Sequence, residues 1–506
     1  MPSSDHIGSL LGSALEANGD AVALACAEGT LSYRELSQRA DRLAARLRAQ
    51  PGDRVAVVAP NVPGLVVALL ATWKLGAVVV PLNARLRSFE LGRAFAGVQP
   101  AAAVSLANQG RFDLAREIFA LRDATPALGQ VVVIDALGNQ TGERNGPAEP
   151  GAPLTEDVAA VLFTSGSTGE PKGALVSHRQ ARGQSENLPP RLEDLAGRPA
   201  ALVSPATHSF GLGCLLATLA AHGTLIMVEL AASIAPLVEA LRRYEARLMH
   251  GSPALFVRLL AVASDLDIRG GFTAGSSCPP SLLEHLDEQG VRLLNLYGMS
   301  EIGAACCPRR DDPPEVRYRT VGRPLAGFEL RIVPHPAGNG EVGEIEVRSE
   351  YITPRYLSRE WTSNDTPGEG WFRTGDLGSL DGEGNVTIAG RSKEVVHVGG
   401  FNVFPAEVES FLLTHPEIAQ AAVIGAPHPV MGEVPRAFVV PERGAALKPG
   451  DVVRFARSGI AGYKVPYAVE IVDHLPMLVS GKLDRSALAQ TAADATRTGG
   501  AHVPTR

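Results

Sequence analysis

Residues 164–172, "TSGSTGEPK", bring four hydroxyl side chains, two glycines and a lysine together directly after the apolar run "AAVLF". Glycine lets successive N–H groups turn into one concavity. Hydroxyls add further donors and the lysine adds positive charge, so the chemistry this stretch suits is phosphate binding. Its spacing is not the Walker one: Gly166, Gly169 and Lys172 do not satisfy G-x-x-x-x-G-K-S/T. A surface turn between a strand and a helix would carry the same composition, so the rest of the chain has to decide. The chain has only six lysines, and arginine supplies basic charge elsewhere. Lysine is the compact, strongly hydrated cation of the two. Lys172 follows "TSGSTGEP" and Lys482 follows "LPMLVSG", whereas Lys74 and Lys448 read as solvated surface residues.

The scaffold that positions these residues is legible in outline. A chain of 506 residues implies roughly three compact units. Its 45% hydrophobic and 20% charged residues are ordinary for a protein with sizeable cores. A net charge of −7, with no basic run, argues against nucleic acid as a partner. Five scattered cysteines without C-x-x-C spacing read as reduced thiols in a cytoplasmic protein, with no structural zinc. The first residues lack a signal-peptide pattern, no apolar run is long enough to span a membrane, and no Ser-Lys-Leu ending is present.

Strands are expected at 54–59, 77–82, 130–135, 159–164, 224–229 and 292–297, and a helix at 62–74. This alternation predicts layered α/β subdomains with largely parallel sheets. Residues 136–157 read as a long exposed loop, 404–415 as an amphipathic helix, and the tail from about 486 as frayed. The expected division is a large domain over 1–390 and a small mobile α+β domain over 391–506.

Further motifs complete a pattern: "LSYRELSQRADRLAARL", "WKLGAVVVPLN", "HSFG" (208–211), "NLYGMSE" (295–301), "GEIEVRS" (343–349), "FRTGDLG" (372–378), "GRSKEVVHVGGFNVFPAEVE" (390–409) and "LVSGKLDR" (478–485). In this order and spacing the chain resembles the adenylate-forming superfamily of acyl-CoA synthetases, nonribosomal-peptide adenylation domains and luciferases, and is closest to the acyl-CoA synthetases. The resemblance implies attack of a carboxylate on the α-phosphorus of ATP, release of pyrophosphate, and transfer of the acyl group to coenzyme A. Two anions must approach, so catalysis is charge neutralisation and in-line positioning.

The resemblance assigns the residues as follows. Thr164, Ser165, Gly166, Ser167, Thr168, Gly169 and Lys172 would cradle the β- and γ-phosphates. Glu301 would hold Mg²⁺, directly or through water, with Gly298 and Ser300 beside it. Tyr297 would stack on adenine, with Gly275, Ser276 and Ser277 lining the base. Asp376 and Arg391 would bind the ribose. Lys482 would bridge the attacking carboxylate and the α-phosphate, delivered by closure of the small domain. Lys393 would be the pivot to a second, thioester-forming orientation, in which Gly399 and Gly400 let the pantetheine arm pass. Three departures from the pattern stand out: Ser300 where threonine is usual, "GSSCP" (275–279) in the adenine segment, and His397 where many relatives carry lysine.

The acyl site is expected around His208, Phe210, Gly211, Gly213, Ser252 and Ala304. These stretches contain neither an acidic residue to pair an ammonium nor an arginine for a second carboxylate. Burying either charge unpaired is costly. The expected substrate is therefore an aryl, alicyclic or fatty acid without a charged tail. Three readings stay open at this point: an acyl-CoA ligase, a stand-alone adenylation enzyme that loads an acyl carrier protein, and a nucleotide-binding protein that has lost catalysis. Oxidative, light-emitting use is a remote fourth.

Overall fold

The computed structural model describes residues 6–497 except 9–11, 13, 15, 16, 18, 111, 150, 165–171, 230–232, 276–277, 337–340, 353–354, 358, 361–369, 399–400, 429–430 and 479–481. Among the described residues the strands of the large part form a nine-stranded and a seven-stranded sheet. In the nine-stranded sheet the buried runs Arg54–Val58, Val78–Leu82, Ala102–Leu106 and Gln130–Ile134 pair in parallel. Near-continuous valine and alanine suit strands covered on both faces. The seven-stranded sheet is parallel except for Gly29–Ser32, which pairs antiparallel with Val22–Cys26 at one edge.

Between the two sheets lies a core that combines Leu24, Val57, Val79, Leu202 and Leu225. The helix Pro63–Lys74 contributes to it over its whole circumference, Pro63 through Trp73 being buried. A helix with no polar face has to be central. The helix Tyr33–Ala44 shows the opposite pattern. It opens on a Ser32/Glu35 capping box and buries one stripe, Tyr33, Leu36, Ala40 and Leu43.

A four-stranded antiparallel sheet follows, made of Phe328–Val333, Gly343–Ser349, Phe372–Leu380 and Val386–Arg391. It ends at Arg391. A short 3₁₀ turn, Ser392–Glu394, leads into a five-stranded sheet centred on the hairpin Ile418–His428 and Gly432–Pro441. Helices Pro405–Leu412 and Pro449–Gly459 pack their apolar sides on it.

Three local expectations need correction. The segment 136–157 is not all loop: Gln140–Asn145 adds an antiparallel edge strand beside Gln130–Ile134. Its polar residues carry no alternation, and it forms because the neighbouring edge offers unpaired N–H and C=O groups. The tail from 486 is helical over Arg485–Arg497, where alanine favours helix and Leu488 and Ala492 bury against Phe438. The run 292–297 is split between Arg292–Asn295 in the seven-stranded sheet and Tyr297–Met299 in a separate three-stranded one.

Candidate active site

The strand Val158–Thr164 pairs in parallel with Val78–Leu82 on one side and antiparallel with Lys172–Ser177 on the other, Thr164 standing opposite Lys172. The segment read as a phosphate loop therefore joins two antiparallel strands, and its base is a fixed ladder. The Trp73 indole N–H adds a 2.9 Å bond to the Ala159 carbonyl. Ser165, Gly166, Ser167, Thr168 and Gly169 lie outside the described residues, as do the side chains of Thr164 and Lys172. The ladder continues from Ala174 to Tyr356, whose hydroxyl donates to Glu301 Oε1 at 2.7 Å. Glu301 is buried and is thus tied to the sheet that carries the loop.

Asp376 lies on Phe372–Leu380 directly opposite Arg391 on Val386–Arg391. Arg391 Nε sits 2.8 Å from Asp376 Oδ1, and the Tyr297 hydroxyl donates to Oδ2 at 2.8 Å. Burial pushes the Asp376 carboxyl above the ordinary aspartate value, against the pull of Arg391. Burial, and then the Asp376 charge, raises the Tyr297 phenol well above its usual range. The Tyr297 ring packs with Ile302, Cys306 and Phe372 and keeps only 8% of its surface exposed. The visible task of this tyrosine is to hold Asp376. Gly298 follows it because a methyl there would collide with the Gly303 carbonyl.

Lys482 reaches this cluster from the other sheet system. The Leu478 N–H bonds to the Lys482 carbonyl at 2.7 Å, and Met477 bridges Leu483, so the lysine rides on a closed loop. Its Cε is 3.7 Å from where a Cβ would stand on Gly275, a residue at φ +84°. Surrounding protein, and then the positive Arg391, lower the Lys482 pKa, while Glu301 and Asp376 pull it back up. His208 feels the same cation. Burial and then Lys482 hold its pKa down at about 4, so the ring is neutral near pH 7. Lys393 lies exposed in the Ser392–Glu394 turn.

Sequence reading missed Arg485, which contacts Glu394 of that turn at 3.2 Å and Glu409 at 3.0 Å. It links the turn to the loop that carries Lys482.

His208 is the residue before the helix Ser209–Ala220, and Phe210 is half-buried on its first turn. A methyl on Gly211 would collide with the Pro205 carbonyl, and one on Gly213 with Gln184 Oε1. Ala304 is buried in Gly303–Cys307. Ser252 is exposed just before Pro253–Val262 and makes no capping bond. The Ser300 carbonyl accepts from Gln180 Nε2 at 3.0 Å. Gln180 and Gln184 belong to the helix His178–Asn187, which sequence reading passed over. Its signal was a buried helix of mostly polar composition, "HRQARGQSEN". Ser276, Ser277, Gly399 and Gly400 lie outside the described residues. All five cysteines are buried and free, and burial raises their thiols, so none is an activated nucleophile.

Comparison with known proteins gives a consistent result. Residues 12–357 match the AMP-binding enzyme family and residues 407–482 its C-terminal domain. A 3-(7a-methyl-1,5-dioxo-octahydro-1H-inden-4-yl)propanoyl:CoA ligase of Rhodococcus jostii is 32% identical, covering 93% of this chain and 96% of that protein. A feruloyl-CoA synthase of an Amycolatopsis species is 32% identical over 90% of this chain and 92% of its own length. The ATP-bound crystal structure of MatB from Rhodopseudomonas palustris, 28% identical, superposes with a TM-score of 0.85 over 97% of this chain and 99% of that one. The apo structure of the same protein reaches 0.72, over 96% and 99%.

Proposed function

The chain belongs to the AMP-binding enzyme family and is an acid–thiol ligase working through an acyl-adenylate, and on that premise we propose that it activates a bulky, uncharged-tail cyclic acid at the cluster around Lys482. ATP and coenzyme A are its co-substrates. The carboxylate attacks the α-phosphorus, pyrophosphate leaves, and the thiol of coenzyme A then displaces AMP from the acyl carbon. The observation that carries the site assignment is the arrival of Lys482, from the part beyond Arg391, at Gly275, Glu301, Asp376 and Arg391.

A cation there neutralises the two anions as they meet, in a setting already crowded enough to lower its pKa. Asp376, an acceptor held by Tyr297 and Arg391, suits the ribose hydroxyls. Thr164 and Lys172 flank the loop for the outer phosphates. Among the described residues no group of three or more acidic, histidine or cysteine ligands could hold a metal alone. Mg²⁺ binds instead through one or two carboxylates plus substrate phosphates, and Glu301 offers one such carboxylate, oriented by Tyr356. When bound, Mg²⁺ supplies charge neutralisation at the phosphates.

The closer likeness to the ATP-bound than to the apo MatB structure supports reading this arrangement as the adenylating one. The turn Ser392–Glu394 is then the articulation between a domain over 1–390 and one over 391–506. The bulky cyclic acids in the names of the two ligase relatives support the substrate class. No described helix is long and apolar enough to cross a membrane, and five buried free thiols fit a reducing cytoplasm. A stand-alone enzyme loading a carrier protein differs only in the acceptor.

Acid-dependent ATP–pyrophosphate exchange, followed by discharge with coenzyme A, tests the assignment. Lys482→Ala is expected to lower exchange on the order of 100-fold or more while supplied acyl-adenylate is still converted to thioester. Equal loss in both half-reactions removes Lys482 from the chemistry. An adenylate that free coenzyme A leaves intact favours a carrier protein as acceptor.

A further inference from the structure

The helix His178–Asn187 poses a problem in packing. Its buried positions include Gln180, Gln184 and Ser185, and glutamine is normally an exposed residue. Ser185 satisfies itself by donating to the Arg182 carbonyl at 2.7 Å. Gln180 is 1% exposed, and its amide nitrogen donates to the carbonyl of Ser300, the residue directly before Glu301, which accepts from Tyr356. A carbonyl only accepts, so this bond fixes the nitrogen on that side and leaves Oε1 as the outer atom. Gln180 Oε1 is buried and has no hydrogen-bond partner among the described residues.

Gln184, one turn further on, is also buried, and no hydrogen bond of its amide is found among the described residues. It lies between two glycines on different elements. A methyl on Gly213 would collide with its Oε1, and a methyl on Gly303, at φ +71°, would stand 2.8 Å from its Nε2. The same Gly303 position lies 3.4 Å from the Gln180 Cγ methylene, so both side chains border this glycine. Apolar packing would have served better here than two amides, because a buried acceptor without a donor is left with its full desolvation penalty. The strand Gly303–Cys307 and the helix Ser209–Ala220 that flank them both carry residues assigned to the acyl site, Ala304 and Gly213.

We propose that Gln180 and Gln184 are specificity-determining residues that select a carboxylic acid whose ring or alicyclic body carries a hydrogen-bond donor, a hydroxyl or N–H, away from the carboxylate. The proposal rests on the ligase reading above. The donor satisfies Gln180 Oε1, and the Gln184 amide, able both to give and to accept, takes the other side of the same group. A site built around buried polar atoms rejects an analogue that leaves them unpaired far more strongly than an apolar pocket rejects one methylene.

The test is a matched panel in ATP–pyrophosphate exchange. It comprises 3-phenylpropanoate with its ortho-, meta- and para-hydroxy derivatives, and indole-3-acetate with its sulfur isostere benzothiophene-3-acetate. Wild-type enzyme is expected to favour at least one donor-bearing acid over its partner by about 10-fold or more in kcat/KM, the lower part of the range that one unpaired buried acceptor allows. Gln180→Met and, separately, Gln184→Met should bring that ratio to within about 2-fold of unity, with the KM for ATP unchanged. A ratio of two acids on the same variant cancels any loss of folded protein. Equal wild-type rates within every pair, or a ratio that survives both substitutions, overturns the selectivity proposal alone. Exchange absent with every acid defeats the ligase reading itself.

Discussion

Asp376, proposed to bind the ribose, shows how a functional residue can be told from a structural one at the scale of a single side chain. Its carboxylate is buried between Arg391 and Tyr297, and burial raises its pKa despite the arginine. A carboxyl that binds its proton more tightly folded than unfolded weakens the fold as pH rises from the unfolded value through the folded one, because the charged form is the one burial penalises. At pH 7 the charge of Asp376 is therefore a cost to folding, and its retention needs a reason outside stability. Asp376→Asn keeps the shape and an oxygen for the Tyr297 hydroxyl, and it leaves an arginine that is half exposed to water. The expected outcome is a melting temperature equal to or above wild type at pH 7, with the KM for ATP raised about 10- to 100-fold, the worth of a charge-assisted hydrogen bond. A lowered melting temperature with unchanged KM would make Asp376 a structural residue.

Elements decide whether such residues can meet. The four-stranded sheet sets Asp376 against Arg391 by register, and the next three residues, Ser392–Glu394, wind the chain into the sheet system that carries Lys482. Arg391, before the turn, is extended at φ −97° and ψ 138°. That is the conformation proline prefers in its preceding residue, and the first N–H of a turn is not used by the turn's own bonds. Ser392→Pro should therefore hold the turn in its present form at little cost, whereas proline at Lys393 would force Ser392 away from its turn conformation. If the turn must rewind for thioester formation, Ser392→Pro will adenylate at near wild-type rate and lose at least about 10-fold in transfer to coenzyme A, as a locked hinge would. Single-turnover rates of the two half-reactions check this, and undiminished transfer places the articulation elsewhere.

The same elements show what the sequence could and could not disclose. Buried parallel strands such as Val78–Leu82 announce themselves as apolar runs. The polar strand Gln140–Asn145 and the polar helix His178–Asn187 do not, since the strand forms by pairing with its neighbour and the helix buries polar side chains, so neither shows an apolar periodicity. Motif resemblance pointed to Lys482, Glu301, Asp376 and Arg391, whereas Tyr356, Arg485 and the two glutamines emerge only once distant segments are brought together.

For the molecule as a whole, acid stability follows from histidines buried without charge. His250 is 1% exposed, stacks on Phe272 and accepts the Phe272 N–H at Nδ1, and burial lowers its pKa to about 4. His178 lies against His6 at a ring separation of 3.8 Å, and burial followed by the His6 charge lowers it to about 3. His208, under Lys482, is at about 4. Each binds its proton less readily folded than unfolded, so between these values and 6.5 the unfolded chain holds more protons. Stability then rises with pH across that window and is lost as pH falls through it. The buried carboxylates Asp376 and Glu409, both raised by burial, act in the opposite sense near the foot of the window. The three histidines lie in different segments of the large part, so the effect is global rather than local. The melting temperature is expected to be flat from pH 8 to pH 7 and to fall steeply from pH 6.5 toward pH 4.5. His250→Asn keeps an acceptor where Nδ1 stood and removes one titrating group. It will lower stability at pH 8 through the volume it leaves empty, yet flatten the acid limb by about 1.4 kcal/mol per pH unit, the worth of one proton. Calorimetry of both proteins across pH 4.5–8 measures the two slopes. Parallel limbs would mean that His250 is already protonated in the fold, and that its stacking on Phe272 tolerates the charge.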